Sequence, residues 1–482
     1  MFVKKLYQPI HASSLAIFRI FFGLMMAFSM LRFMLKGWVY DLYVKPKFFF
    51  TFYGFDWVKP WPEWGIYAHF IVLFLLALFI SLGFYYRLSM FLFFLGFTYV
   101  ELIDKSNYLN HYYFISLISG LMILMPLHHK WSVDAWRKPH LYSTKVPVWP
   151  LYVLRLQMGL VYFFAGVAKL NSDWLFHAQP LRTWLSMNVD FPILGPWFNQ
   201  AWVAYAMSWM GAIFDLTIPF FLLGRRTRAF AYLAVIIFHL VTWRLFRIGM
   251  FPWIMMVSTT VFFSTHWPEI FYQRLRRFLP FFGISKVSSK VKSSSSFITQ
   301  TVTEKKSETG LVQANTHNGH FSKIFVNRKQ KILIGFFGIY FFIQFFLPIR
   351  HIFYPGDVMW GEEGLRFSWR VMLMEKNGSI DFRVVDPETG RRWLVNANQY
   401  LQPYQFKQMS TQPDMILQMA HHIEQDFSSK GLKHIEVYAD TNVSLNGRMN
   451  QRLIDPKVDL AKESRGFHHK KWITPFINSA VP

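Results

Sequence analysis

Lys169 closes the run LYVLRLQMGLVYFFAGVAKL, where a charged amine is expensive unless it is paired, hydrated or neutral. The ordinary reading is a lysine at a helix end that snorkels to the membrane surface. The continuation NSDWLFHAQPLRTWL stays aromatic and apolar, which keeps the amine poorly hydrated. Burial disfavours the charged form, and a neutral amine is a general base. Arg155 and Gln157 lie roughly four helical turns earlier and read as helix-to-helix glue. His239, inside YLAVIIFHLVTWRLF, suits either an interior hydrogen bond or a neutral imidazole that transfers a proton or binds a quinone oxygen. Asn110-His111 at the start of one apolar run and His128-His129 at the end of it are weaker candidates.

These residues must be positioned by long apolar elements. The chain is 53% hydrophobic and only 16% charged, and its 54 Phe and 19 Trp fall in runs of the length that crosses a hydrocarbon layer of roughly 30 Å. Candidate spans are 13–35, 68–86, 88–103, 108–127, 149–169, 199–223, 228–247, 248–264 and 332–348, giving eight or nine. Arg87 and the Arg247-Ile248-Gly249 break mark the third and eighth as short, broken or re-entrant. The net charge of +24 sits largely in connecting segments, which argues for the positive-inside rule and against nucleic acid. Lys4-Lys5, Arg225 to Arg228 and the basic, Ser-rich 265–331 loop then share the cytoplasmic side, with that loop partly disordered.

Residues 349–482 change character. Asn377-Gly378 and Asp386-Pro387 read as tight turns between strands, Pro413 opens a helix and KHIEVYAD is a further strand. The expected architecture is a polytopic α-helical membrane protein: a catalytic helical domain over 1–264, the 265–331 loop, a last span over 332–348, and an extracytosolic α+β domain over 349–482. With no cysteine, thiolate chemistry and disulfides are excluded. The absence of HExxH, a two-His-one-carboxylate pattern, a GxSxG elbow and phosphate-binding glycine motifs leaves no expectation of a metal site, serine hydrolase, ATP or NAD chemistry.

In order and type, LIDKSNYLNHYY, HHKWSVD, VYFFAGVAKLNSDW, FHLVTWRLFRIGMFPW, GLRFSWRVM and NGRMNQRLIDPKVD resemble the vitamin K-dependent gamma-glutamyl carboxylase family over nearly the whole chain. The resemblance implies a short, bacterial-type enzyme that couples oxygenation of reduced vitamin K (phylloquinone or menaquinone hydroquinone) to carboxylation of peptidyl glutamate. Oxygen and carbon dioxide are its co-substrates and no metal takes part. Lys169 would deprotonate the hydroquinone and His129 would stabilise developing negative charge. His239, with His128 and Trp174, would line the quinone pocket, and Ser368 and Trp369 would receive the glutamate. Because hydropathy puts His129 and Lys169 towards opposite sides, convergence requires a wrong span boundary or re-entrant segments. Implied partners are membrane lipid, a protein substrate and a quinone reductase that recycles the epoxide, in a bacterial inner membrane rather than the endoplasmic reticulum.

Departures from the animal pattern are His128 in place of asparagine, Ala168 in place of a second lysine, no paired cysteines, and Arg366 and Arg370 within GLRFSWRVM. The chain ends soon after KKWITPFINS, so a propeptide-guided substrate is not expected. Two other readings stay open: a quinol epoxidase without carboxylation, and a non-catalytic transporter or scaffold of the same fold.

Overall fold

The computed structural model describes residues 2–246, 248–278 and 327–478. The Ser-rich stretch expected to be disordered lies outside the described residues.

Runs of Phe, Leu and Ile satisfy their own backbone as helices, the only open-chain form that hydrocarbon tolerates. They give α1 (Ser13–Leu35), α2 (Glu63–Leu82), α3 (Tyr86–Ile103), α4 (Asn110–Leu124), α5 (Trp149–Ala168), α6 (Ala201–Leu223), α7 (Arg228–Phe246), α8 (Phe251–Thr259), α9 (Trp267–Phe278) and α10 (Arg328–Ile349). Seven helices among the described residues are long and apolar enough to cross a membrane, and Asn110–Leu124 and Phe251–Phe262 are shorter apolar helices. The third span is a full helix after all, because the chain turns at Gly83 and Arg87 already lies in the first turn of α3. The eighth is short, as expected, and so is the fourth.

The helices alternate in direction. At one end, β1 (Pro9–His11) pairs antiparallel with β2 (Lys145–Pro147), and Ser13 and Lys130 both donate to Glu269 of α9. Arg225, Arg226 and Arg228 follow α6 at this same end. Here Arg19, completely buried, donates to the carbonyls of Leu127 (3.1 Å), Ile80 (2.7 Å), Ser81 and Trp131. Gly83 makes the turn after α2 at φ +66°, and a Cβ there would collide with Ser132 Cβ.

The opposite end carries the C-terminal α+β domain. Its antiparallel sheet has the order β4 (Arg392–Val395), β3 (Lys376–Val385), β5 (Glu436–Leu445), and α11 (Pro413–Ser429) packs against it. Alternation in β3 turns Ile380, Phe382 and Val384 into the core against Met415, Ile416 and Met419. The turn at Asp386-Pro387 and the Pro413 helix match expectation, but the Asn377-Gly378 turn does not. Those residues lie inside β3, opposite Ser444 and Val443. Glycine serves packing there, since a Cβ on Gly378 would meet Val443 Cγ2 at 2.8 Å.

Arg19→Leu leaves the carbonyls of Leu127, Ile80, Ser81 and Trp131 without their side-chain donor. The variant is expected to lose about 2–4 kcal/mol of stability, read as a lowered unfolding temperature in detergent. An unchanged temperature would mean that the four carbonyls find other donors.

Candidate functional site

Lys169 sits at the end of α5 where this helix crosses α6. A Cβ on Gly166 would come within 2.7 Å of the Leu216 backbone nitrogen, so only glycine lets the two helices approach this closely. The approach puts Lys169 Nζ 2.7 Å from Asp215 Oδ2, with both side chains under a tenth exposed. Nζ also donates to the Ala165 carbonyl (3.3 Å) and lies 5.2 Å from the centre of the Trp174 ring. Lys169, expected as a neutral amine in a dry pocket, thus has a buried carboxylate partner. Asp215 escaped sequence reading, although a lone Asp inside AWVAYAMSWMGAIFDLTIPFFLL is an intramembrane ionisable group of the kind that signalled Lys169.

The pair opens onto a cavity of about 100 Å³ walled by Trp174, Trp184, Phe238, Phe246, Phe251 and Met255, with His239 and Tyr162 adding polar atoms. Trp174 is fixed by Nε1–H donation to the Ser208 carbonyl at 2.8 Å. His239 is fully buried; its Nε2 lies 2.9 Å from Tyr162 Oη, while its Nδ1 has no partner among the described residues. The interior hydrogen bond and the free ring nitrogen therefore coexist on one imidazole. The His111 ring lies 5.9 Å from that of Phe251, and His111 is not among the residues lining the cavity.

Not every expected residue arrives. The Ser143 N–H donates to the His129 carbonyl, and the Val148 N–H, just ahead of α5, donates to the Gln8 carbonyl. His129 therefore lies near the start of α5 and Lys169 at its end, roughly 30 Å apart for a helix of 20 residues. His128, stacked on Tyr86, goes with it. Among the described residues no re-entrant segment brings them together, and the expected convergence on one pocket is corrected. Ser368 and Trp369 are both buried: the Ser368 hydroxyl donates to the Leu365 carbonyl, and Trp369 stacks on Tyr113. Neither faces the cavity. The residues just after them, Val371 and Met372, line it instead. Arg155 acts as helix glue, donating to the carbonyls of Val261, Phe262 and Phe263.

The C-terminal domain closes the pocket's outer side. Asp173, one residue before Trp174, accepts from Arg448 Nη1 (2.9 Å) and from Asn446 Nδ2 (2.7 Å). The Trp184 indole donates to Glu375. At the far end, folding does assemble a two-His-one-carboxylate cluster of His11, His266 and Glu269, absent as a sequence pattern. The Lys130 ammonium already occupies that carboxylate.

Asp215→Asn leaves a buried ammonium uncompensated, with an expected loss of about 3–5 kcal/mol. Adding Lys169→Met should recover most of it, since an apolar pair tolerates the site. Thermal unfolding of both variants checks this, and an unaffected Asp215→Asn protein would remove the ion pair's structural role.

Among known proteins, residues 7–267 match the family model described as HTTM domain. Residues 329–479 match that of the vitamin K-dependent gamma-carboxylase lumenal domain, which makes the C-terminal α+β domain extracytosolic. No solved structure matches the chain. With its transmembrane part and its outer domain each matching, in this order, the chain belongs to the vitamin K-dependent gamma-carboxylase family.

Proposed function

We propose that the protein is a vitamin K hydroquinone-dependent carboxylase and epoxidase acting on peptidyl glutamate. The observation that carries this reading is the Lys169–Asp215 pair at the wall of an aromatic cavity between spans. The residues fit a flat, lipid-soluble diol. Trp174, Phe238 and Phe251 offer ring faces, the amine offers a proton acceptor, and His239 Nδ1 is a buried polar atom without a partner among the described residues. When bound, reduced vitamin K together with oxygen supplies the strong base needed to remove a glutamate γ-proton ahead of capture of carbon dioxide.

The chain's own contribution is proton handling and exclusion of water. Lys169 in its amine form takes a hydroxyl proton, and the ammonium that results is the paired form, 2.7 Å from the Asp215 carboxylate. Proton transfer thus leaves no unbalanced charge on the protein in a poorly hydrated site. Tyr162 holds His239 through Nε2 and leaves Nδ1 to orient an oxygen. Val371 and Met372 cover the cavity from the outer domain, on the side from which a glutamate would enter. His128 and His129 have no part in this scheme.

Lys169→Ala is expected to cut epoxide formation from reduced vitamin K and oxygen at least about a hundredfold. Equal product from both proteins removes Lys169 from the mechanism. Labelled carbon dioxide entering a glutamate peptide decides carboxylation, and epoxide without label leaves the oxygenase half alone.

The reading places the N-terminus in the cytoplasm of a bacterium, the C-terminal domain outside the inner membrane, and a quinone reductase in the same membrane. Because the chain has no cysteine, a single cysteine introduced at Thr389 or at Thr227 reports topology cleanly. A membrane-impermeant maleimide on intact cells should label the first and spare the second; the reverse overturns the orientation.

A further inference from the structure

A second cavity, of about 430 Å³, lies between the outer domain and the outer loops of the helical part. Five cationic side chains line it (Lys105, Arg350, Arg366, Arg465, Lys470) against three carboxylates (Glu362, Glu363, Asp414). Each carboxylate is already engaged. Asp414 takes Lys105 at 2.6 Å and Arg366 at 2.8 Å, Glu362 takes Lys376 at 3.1 Å, and Glu363 takes His469 at 2.8 Å with Lys470 at 3.7 Å. Arg465 pairs with Asp56.

Arg350 donates only to the carbonyls of Leu347 and Arg366 and meets no carboxylate among the described residues. Lys105 and Arg366 share a single one. Burial, with a smaller push from Arg366, brings Lys105 down to about 8 despite Asp414, as expected for a cation short of negative charge. Burial alone would raise the Asp414 carboxyl, but Arg366 and Lys105 hold it far below the usual range, so it stays ionised and no further charge is available from it.

This cavity shares a wall with the Lys169 pocket. Gly364, Arg366 and Phe367 face the basic cavity, and Val371 and Met372, a few residues on, face the pocket. The segment manages both faces by repeated left-handed bends, with positive φ at Glu362, Gly364, Phe367, Trp369 and Met372. Such bends are unfavourable for non-glycine residues and are held by the Arg366–Asp414 pair and by buried Trp369. The mouth is aromatic: Tyr53 and Phe467 meet edge to face at 5.2 Å, and both are more than half exposed.

We propose that the basic cavity binds a second acidic side chain of the peptide whose glutamate enters the Lys169 pocket, so that the preferred substrate class is peptides with an acidic residue near the modified one. An extended peptide advances about 3.3–3.6 Å per residue, enough for neighbouring carboxylates to reach either side of one wall segment. A lipid headgroup is the less suited occupant, since only Leu347 and Arg350 of the lining come from the last span and most of the rest belongs to the outer domain and the 50–56 loop. The inference rests on the proposed carboxylase reading, and its test is a binding measurement that needs no turnover.

Full-length protein in phosphatidylcholine nanodiscs is titrated against two fluorescein-labelled peptides, one with a Glu followed at two residues by Asp, the other with Asn in place of that Asp. Anisotropy should show at least tenfold tighter binding of the diacidic peptide, weakening with salt. Arg350→Gln and Lys470→Gln should each reduce the preference threefold or more, with binding of the monoacidic peptide and the unfolding temperature unchanged. Lys470, on a different segment of the lining, guards against a folding defect in the Arg350 variant. No preference in the parent protein, or the same preference in both variants, overturns the proposal. So does loss in the variants of affinity for phosphatidylglycerol nanodiscs with peptide preference intact, which gives the cavity to lipid. Lys169→Ala protein should keep the preference; parent protein that shows the preference but forms neither epoxide nor carboxylated peptide refutes the catalytic reading and leaves the cavity as a peptide site.

Discussion

An ammonium and a carboxylate 2.7 Å apart at the apolar crossing of α5 and α6 set conditions that much of the molecule serves. Either charge alone would be expensive in that surrounding, and together they are tolerated only if the geometry is held. Gly166 lets the helices approach, Trp174 covers the amine from one side, and the ring it presents is anchored to α6 through the Ser208 carbonyl. The result is a polar group kept dry rather than one that reaches for the surface.

The outer domain belongs to the same construction. VYFFAGVAKLNSDW and NGRMNQRLIDPKVD, far apart in the chain, meet where Arg448 and Asn446 grip Asp173 next to Trp174. Additional bonds reach across the same junction: Gln405 donates to Asp104 at 2.8 Å, and Gln418 accepts from the Thr51 N–H at 3.0 Å. A domain that docks by several buried, directional contacts can form pocket wall, as Val371 and Met372 do, because its position relative to the spans is fixed.

At the other end, polar groups serve architecture. Arg19 gathers four carbonyls at one junction, and Lys130 occupies the carboxylate that His11 and His266 approach. His128 and His129 lie in this region, separated from Lys169 by the full length of α5. A histidine pair beside a family-like WSVD block looked catalytic on type and order alone, and residue type carries no information about which end of a span it occupies.

Periodicity and composition by themselves determined the class of this protein, because hydrocarbon allows one open-chain backbone solution and a run of twenty apolar residues announces it. They also determined the polar-alternating outer domain, the Pro413 helix, and Lys169 and His239 as buried polar groups worth attention. Sequence order further marked the family through blocks long enough to be specific. What only the tertiary structure decided was partnership. Asp215 stands 46 residues from Lys169, Tyr162 finds His239 across two helices, and Asn377-Gly378 lies in a strand because Val443 packs above it rather than at a hairpin tip. Such pairings depend on helix crossings and strand register, which are set by contacts between distant segments and leave no local pattern to read.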